Sequence, residues 1–286
     1  MFPVVIPAAG YGTRSLPASK AIPKEMLTVF DRPTIQYIAE EAAASGAKSL
    51  VLVTSRGKSA IEDHFDRNIE LEAILEKAKK NDLLAMVRGL SELIQIKSLR
   101  QHEMRGLGHA VLSAKPAVST RHFGVILGDD LVDAPVPGMQ QLFNRWKEIS
   151  STGFDGGVVM LMKVEDSEVS KYGICEVESS SLKIQRCIEK PKPSDTNSRL
   201  AIIGRYLLPS DIFSKLENLG SGALGEIQLT DALNILAREG RLYGHILEGK
   251  RFDAGDRLGF LEASIHFAMK SGLKSEVQKL LKEILK

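Results

Sequence analysis

The chain has almost no excess of charge, almost no cysteine and no long apolar run, and each shortage removes a class of function. Its 286 residues hold 38 Lys and Arg against 36 Asp and Glu, a net charge of +2 with the basic residues spread along the chain. Nucleic acid, which needs a basic patch or stripe, is not expected as a partner. The two cysteines, Cys175 and Cys187, lie in strand-like runs without the paired Cys/His spacing of a zinc centre. They read as small buried thiols in a reducing compartment. No segment approaches a membrane span, and Pro3 and Pro7 interrupt the short apolar run at the amino terminus. Neither a membrane nor a secretory leader is expected, so the chain reads as cytoplasmic. Its 43% apolar content suits an ordinary packed core.

Two common phosphate motifs are also missing from a stretch that otherwise has phosphate-binding chemistry, VVIPAAGYGTRSLPASKAIPKEML from Val4 to Leu27. Val4-Val5-Ile6 reads as a buried strand, and Ala8-Ala9-Gly10 follows at once. Gly10 and Gly12 lack a Cβ, so the chain can turn sharply with its N–H groups outward, while Arg14, Lys20 and Lys24 add positive charge. A dinucleotide fingerprint would need glycine where Ser15 stands, and a helix that Leu16-Pro17 and Pro23 interrupt. The Walker pattern needs a Gly-Lys-Ser/Thr that does not follow Gly10. What remains is a polyphosphate cradle of another kind.

Beyond the cradle, Ile35, Ile38, Ala39 and Ala42 repeat at helical spacing up to Gly46, and Ser49–Thr54 reads as the next buried strand. That βαβ unit implies an α/β sheet with ligands at the carboxyl ends of its strands. Ala60 to about Lys80 reads as one helix whose charge-rich face, Glu72 included, is solvated. The strand from Leu93 to Leu99 leads into a loop where Gln101 offers both a donor and an acceptor, and where Gly106 and Gly108 admit a flat ring. Such a loop could read the edge of a flat base. His109, at the start of a helix, reads as a structural hydrogen-bonding residue rather than an acid or base. Asp129 and Asp130 stand at the end of the strand His122–Leu127, where carboxylates facing a phosphate loop suit Mg²⁺. From Gly157 the chain changes to short β segments with close turns, an antiparallel addition to the sheet. Thr230 or Asp231 is placed to cap the helix Ala232–Arg238, and Val277, Leu280, Leu281 and Ile284 mark an amphipathic terminal helix.

The string G-x-G-T-R followed by Pro23-Lys24 resembles the signature of the sugar-phosphate nucleotidylyltransferases, and its wording is similar to the bacterial uridylyltransferases that act on glucose 1-phosphate. Further motifs follow in family order: R-Q…G-L-G-H-A-V from Arg100, Gly128-Asp129-Asp130, Lys171-Tyr172-Gly173-Ile174, Ile188-Glu189-Lys190-Pro191, G-E-I-Q-L-T-D from Gly225, and Asp253-Ala254-Gly255. The resemblance extends from Val4 to about Phe260. It implies a Rossmann-like mixed sheet of nucleotidyltransferase type with helices on both faces and a small antiparallel sugar-binding addition. Residues 1–270 would form one catalytic domain, with 1–150 mainly binding nucleotide and 151–270 mainly binding sugar, and 271–286 would add the terminal helix.

The implied reaction joins UTP and glucose 1-phosphate into UDP-glucose and pyrophosphate, in a homodimer or homotetramer. The implied site has Ala8, Ala9, Gly10, Gly12 and Thr13 around the nucleotide, Gln101 and the Gly106 backbone on uracil, and Arg14 and Lys24 on the leaving pyrophosphate. Gly173, Glu189 and Lys190 would hold the sugar phosphate, Lys190 against the attacking phosphate. Asp253 would partner Asp129 or Asp130 at Mg²⁺. A thymidylyltransferase, or a uridylyltransferase for another sugar 1-phosphate, would use the same loop and metal; thymidylyltransferase relatives often carry arginine where Leu224 stands, which tilts against the first, as the intact charged residues do against a binding-only regulatory paralogue.

Overall fold

The computed structural model describes residues 2–220 and 225–286; Leu224 therefore lies outside the described residues. The first third runs β1 (Pro3–Pro7), the two-residue β2 (Thr28–Val29) and β3 (Arg32–Pro33), α1 (Thr34–Ala44), β4 (Ser49–Thr54), α2 (Ser59–Phe65), α3 (Ile69–Lys77), α4 (Asn81–Glu92) and β5 (Gln95–Arg100). The middle holds α5 (Gly106–Ser113), β6 (His122–Ile126), β7 (Asp130–Asp133), α6 (Gly138–Ser150), β8 (Gly157–Lys163), β9 (Gly173–Val177), β10 (Ile184–Glu189) and β11 (Leu200–Pro209). The chain ends with α7 (Ile212–Asn218), α8 (Leu229–Arg238), β12 (Leu242–Ile246), β13 (Lys250–Asp253), α9 (Arg257–Lys270) and α10 (Lys274–Ile284).

Among the described residues one nine-stranded sheet runs in the order β10-β9-β11-β6-β1-β4-β5, with β8 also paired to β11 and β12 to β8. The strands β6, β1, β4 and β5 are parallel, which puts their carboxyl ends along one edge. Antiparallel β11 joins them to β8 and β9, so the sheet is mixed. Successive side chains of a strand point to opposite faces. Val5, Val51 and Val53 accordingly pack on one side with α5, α7 and α8, while Val4, Ile6, Leu50 and Leu52 pack on the other with α1, α2 and α6. The expected α/β sheet with helices on both faces is what forms.

Three local expectations change. The helix expected from Ala60 to Lys80 is two, because Asp66 leaves the first in an extended conformation and Asn68 caps the next, its Oδ1 accepting from Leu71 N at 3.0 Å. Glu72 is buried rather than solvated, since Arg67 and Arg88 donate to it at 2.6 and 2.9 Å. Neither Thr230 nor Asp231 caps α8; both lie inside its first turn, behind Gln228. The cysteines are buried and free, opposite each other in the β9–β10 pair. No described helix is long and apolar enough to cross a membrane.

Arg205 of β11 has no exposure, and its guanidinium donates to Glu41 of α1 at 2.8 and 2.6 Å. Glu41 also accepts from Met139 N at the start of α6, so this pair ties two helices to the sheet. Replacing Arg205 by Met strands a buried carboxylate and is expected to remove about 3–5 kcal/mol in urea unfolding. Adding Glu41→Leu should recover most of that loss. A single variant within about 1 kcal/mol of the parent would refute the assignment. At Glu72 the hydrogen bonds from Arg67 and Arg88 bring the pKa from 4.5 to about 2. A depressed carboxyl stabilises above its unfolded pKa and loses that contribution as pH falls through the folded one. The stability gap between the parent and Glu72→Gln should therefore be full at pH 6 and close as the pH drops from 4.5 toward 2.

Candidate active site

The ends of the parallel strands open onto one cleft. Ala9 and Gly10 follow β1, Gln101 follows β5 and Asp129 follows β6, and these line a cleft of about 380 Å³ together with Arg14, Lys24, Gly106 and Glu226. Gly12 has φ +66, and a Cβ there would lie 3.1 Å from Lys24 Cβ. Glycine is thus what lets the turn fold against the lysine. Gly10 has open space before it. Ala8 is fully buried, its N–H donating to Val53 O at 2.8 Å, and Thr13 is exposed.

On the far wall Gly106 has φ +87, and a Cβ there would meet Glu226 Cβ and Ile227 O at 3.0 Å. The string from Gly225 is clasped to this loop, with Ile227 N donating to Arg105 O at 2.7 Å and Gly108 N to Ile227 O at 2.9 Å. Reading that string as structural accounts for these bonds, but Glu226 of the same string lines the cleft. Gln101 is 5% exposed, and its Nε2 lies 2.9 Å from His109 Nδ1.

The cations meet the carboxylates at the floor. Lys24 Nζ stands 2.6 Å and Arg14 Nη2 3.3 Å from Asp129 Oδ2. Burial raises the pKa of the Asp129 carboxyl, but the charge and hydrogen bond of Lys24 and the charge of Arg14 outweigh it and hold it below the usual carboxylate range. Asp253 arrives from the partner strand, since β13 pairs with β7 and sets Asp253 opposite Asp130. A Cβ added to Gly255 would lie 2.8 Å from Asp129 Oδ2 and 3.1 Å from Asp253 Oδ1. The two carboxylates and Arg14 Nη2, which would lie 2.9 Å from that Cβ, converge over a glycine whose missing side chain admits all three.

Asp130 turns the other way. It is 3% exposed, its Oδ1 accepts from Arg251 Nε at 2.6 Å, and its Oδ2 accepts from Gly204 N at 2.7 Å. Both of its oxygens are engaged inside the protein. Arg251 also donates to Tyr172 Oη at 2.8 Å and lies 3.4 Å from Asp253 Oδ2. It thereby joins the carboxylates to the segment bearing Gly173, Glu189 and Lys190. Gly173 and Glu189 face each other across β9 and β10, Glu189 Oε2 accepts from Thr230 Oγ1 at 2.7 Å, and Lys190 is exposed with φ +45. A second cavity of about 400 Å³, lined by Arg14, Tyr172, Arg251 and Asp253 among others, shares Arg14 with the first. Arg251, Tyr172, Thr230 and Glu226 gained no site role from sequence. The motifs from Lys171 and Gly225 contained three of them and Arg251 stands two residues before Asp253, but the side chains that Arg251 and Thr230 meet are remote in the chain.

A family model described as nucleotidyl transferase matches residues 3–269. The chain belongs to the nucleotidyl transferase family. It is 44% identical over 286 residues to UTP–glucose-1-phosphate uridylyltransferase 1 of Staphylococcus saprophyticus, covering 99% of this chain and 98% of that one. It is similar to a structure of a UTP-bound UGPase from Acinetobacter baumannii, with TM-score 0.90, 40% identity and 99% of both chains covered. A UDP-glucose pyrophosphorylase complexed with UDP-glucose gives TM-score 0.84 at 36% identity, covering 95% of this chain and 100% of that one. The nucleotidyltransferase fold expected from the motifs is thus shared by solved relatives along nearly the whole chain.

The clasp between the two wall segments gives a test within this member of the family. A Cβ at Gly108 would stand 2.6 Å from Ile227 O. Gly108→Ala should therefore destabilise by about 1–3 kcal/mol in thermal or urea unfolding. Gly89→Ala, in the interior of α4 with nothing within 4 Å, should instead be neutral or gain up to about 1 kcal/mol. Equal effects at the two sites would show that the wall segments are not packed as described.

Proposed function

We infer that the chain transfers the uridylyl group of UTP to α-D-glucose 1-phosphate, releasing pyrophosphate and forming UDP-glucose. The observation that carries this is one cleft with the Gln101 amide on one wall and Lys24 and Arg14 on its floor, in a chain 44% identical end to end to a uridylyltransferase. The nucleophile is a phosphate oxygen that is already an anion, so in-line attack on the α-phosphorus needs no general base. The task of the protein is to hold two repelling anions together and to stabilise the charge that passes to pyrophosphate.

Arg14 and Lys24 hold the β- and γ-phosphates, while the cradle backbone, from Ala8 to Thr13, carries the triphosphate. Gln101 and the Gly106 backbone hold uracil. Gly173 and Glu189 hold the hexose, the carboxylate accepting from vicinal hydroxyls, and Lys190 draws in the attacking phosphate. This assigns nucleotide binding mainly to residues 1–150 and sugar binding mainly to 151–270.

The converging oxygens of Asp129 and Asp253 suit a hard divalent cation such as Mg²⁺, which takes one or two carboxylates and keeps waters. Among the described residues no group of three or more His, Cys, Asp or Glu forms a metal cage. The Asp130 side chain is 5% exposed with both oxygens held at 2.6 and 2.7 Å, whereas those of Asp129 and Asp253 are 19% and 26% exposed, so we assign Asp130 as the support of the pair rather than a ligand. Bound there, the ion supplies Lewis-acid stabilisation of phosphoryl charge. The same reading places the enzyme in the cytoplasm as a homodimer or homotetramer. Exposed Leu280 and Ile284 on α10 support self-association.

Pyrophosphate release with glucose 1-phosphate should be fast for UTP, slow for dTTP, ATP and GTP, and abolished by EDTA. Preference for dTTP would reassign the donor, and binding of UDP-glucose without turnover would favour a regulatory role. Losing one charge-assisted contact costs roughly 1.5–3 kcal/mol. Lys190→Ala should accordingly raise the KM for glucose 1-phosphate about ten- to a hundred-fold, and that for UTP much less. The reverse pattern would move Lys190 to the nucleotide.

A further inference from the structure

The amide of Gln101 has two unlike ends, and the side that faces the ligand decides which base the cleft accepts. Its Nε2 lies 3.4 Å from Gly106 O and 2.9 Å from His109 Nδ1. A carbonyl oxygen only accepts, so the end of the amide turned to Gly106 must be the nitrogen. His109 then receives the other amide proton, which requires a bare Nδ1 and places the ring proton on Nε2. Burial, with the Arg105 charge, lowers the pKa of His109 against the opposing pull of Glu103, which keeps the ring neutral at pH 7. Both amide protons are directed to protein acceptors, and Oε1 is left to meet a ligand.

The backbone around the imidazole is fixed. Ser113 Oγ donates to His109 O at 2.8 Å, and Gly108 N, one residue earlier, is bonded to Ile227 O at 2.9 Å. Gly106 and Gly108 both sit where a Cβ would strike the Glu226–Gln228 segment.

We propose that His109 is a positioning residue for base selection: by accepting from Gln101 Nε2 it holds the amide with Oε1 toward the cleft, so that the site takes a pyrimidine whose N3 donates and refuses one whose N3 accepts. This rests on the UTP reading above. Uracil carries a proton on N3, whereas cytosine presents a lone pair there. Against Oε1 uracil gains a hydrogen bond and cytosine meets lone-pair repulsion. A reversed amide would invert both outcomes, and without His109 only the longer contact to Gly106 O opposes reversal.

The test is kcat and KM for UTP and CTP, with glucose 1-phosphate saturating, in the parent and two variants. In His109→Asn, Oδ1 takes the place of Nδ1, the same number of bonds from Cβ, and remains an acceptor. In His109→Leu a methyl stands there. One hydrogen bond with its reversal is worth roughly tenfold or more. The leucine variant should lose at least about tenfold of the UTP-over-CTP preference, chiefly through KM for UTP, and the asparagine variant should keep the preference within about threefold. If the leucine variant does not fold, His109→Ala removes the acceptor by truncation and should show the same loss. An unchanged ratio in leucine or alanine, or an equal loss in asparagine, overturns the proposal while leaving the UTP reading intact. A parent enzyme that prefers CTP overturns both.

Discussion

A carboxylate with almost no access to water, Asp130, meets the Arg251 guanidinium at 2.6 Å, and the geometry of the cleft follows from that contact. It pins β13 to β7, and this pairing carries Asp253 to the end of β6 where Asp129 stands. Without it the two carboxylates that flank Gly255 would belong to unrelated loops. Arg251 then reaches on to Tyr172, beside Gly173, so one guanidinium spans the step from the Asp129–Asp253 pair to the start of β9. A buried ion pair of this kind contributes little to net stability compared with a well-packed apolar pair, because desolvation offsets the Coulomb attraction. What it supplies is position.

A second buried pair sits one residue further along β11. Gly204 N donates to Asp130, and Arg205 pairs with Glu41. Arg205 and Arg251 repel, and Asp130 and Glu41 more than compensate, so the Arg205 pKa is raised in spite of its burial. Two cations and two anions in one dry region balance only as a set. The irregular register between Ile202 and Tyr206 in the β11–β8 ladder takes Gly204 out of regular pairing and makes its N–H available to Asp130. A Cβ at Gly204 would lie 2.8 Å from both Asp130 Oδ2 and Leu127 Cβ, so glycine is a condition of the approach.

The parts legible in sequence were those whose cause is local. Continuous apolar runs at Val4–Ile6 and Ser49–Thr54 marked central parallel strands, which are buried on both faces. The order of the motifs gave the fold and located the cradle, the Gln101 loop and the strand ends. The helix α4 went unread although its apolar residues gather on one face; only Leu84 is buried, and Gly89 stands inside it. Glu72 looked solvated because its helix neighbours are charged, yet Arg88, which helps to bury it, comes 16 residues later. The choice between Asp129 and Asp130 was closed to sequence for the same reason. Adjacent residues of an extended chain point to opposite sides, and the arginine that claims Asp130 is 121 residues away.

Lys24 and Arg14 both rest on Asp129, although Arg14 is 65% exposed and could extend into water. That arrangement is preorganisation by a local counter-charge. A lysine and an arginine free to swing would have to be ordered when a polyphosphate arrived, and long side chains lose considerable rotamer freedom in that step. Held by the carboxylate, they already point at the cleft floor. The carboxylate also offsets part of the positive charge at the floor. A triphosphate offers more negative charge than Asp129 does, and offers it at several oxygens, so it competes for cations already in place. In the proposed function, selectivity for a nucleotide over simple phosphate then falls to the opposite wall, where the base would meet the Gln101 amide. In that reading charge lies below and hydrogen-bond polarity above, and the glycines at 12 and 106 build the two sides by letting one turn fold against Lys24 and the other against Glu226 and Ile227.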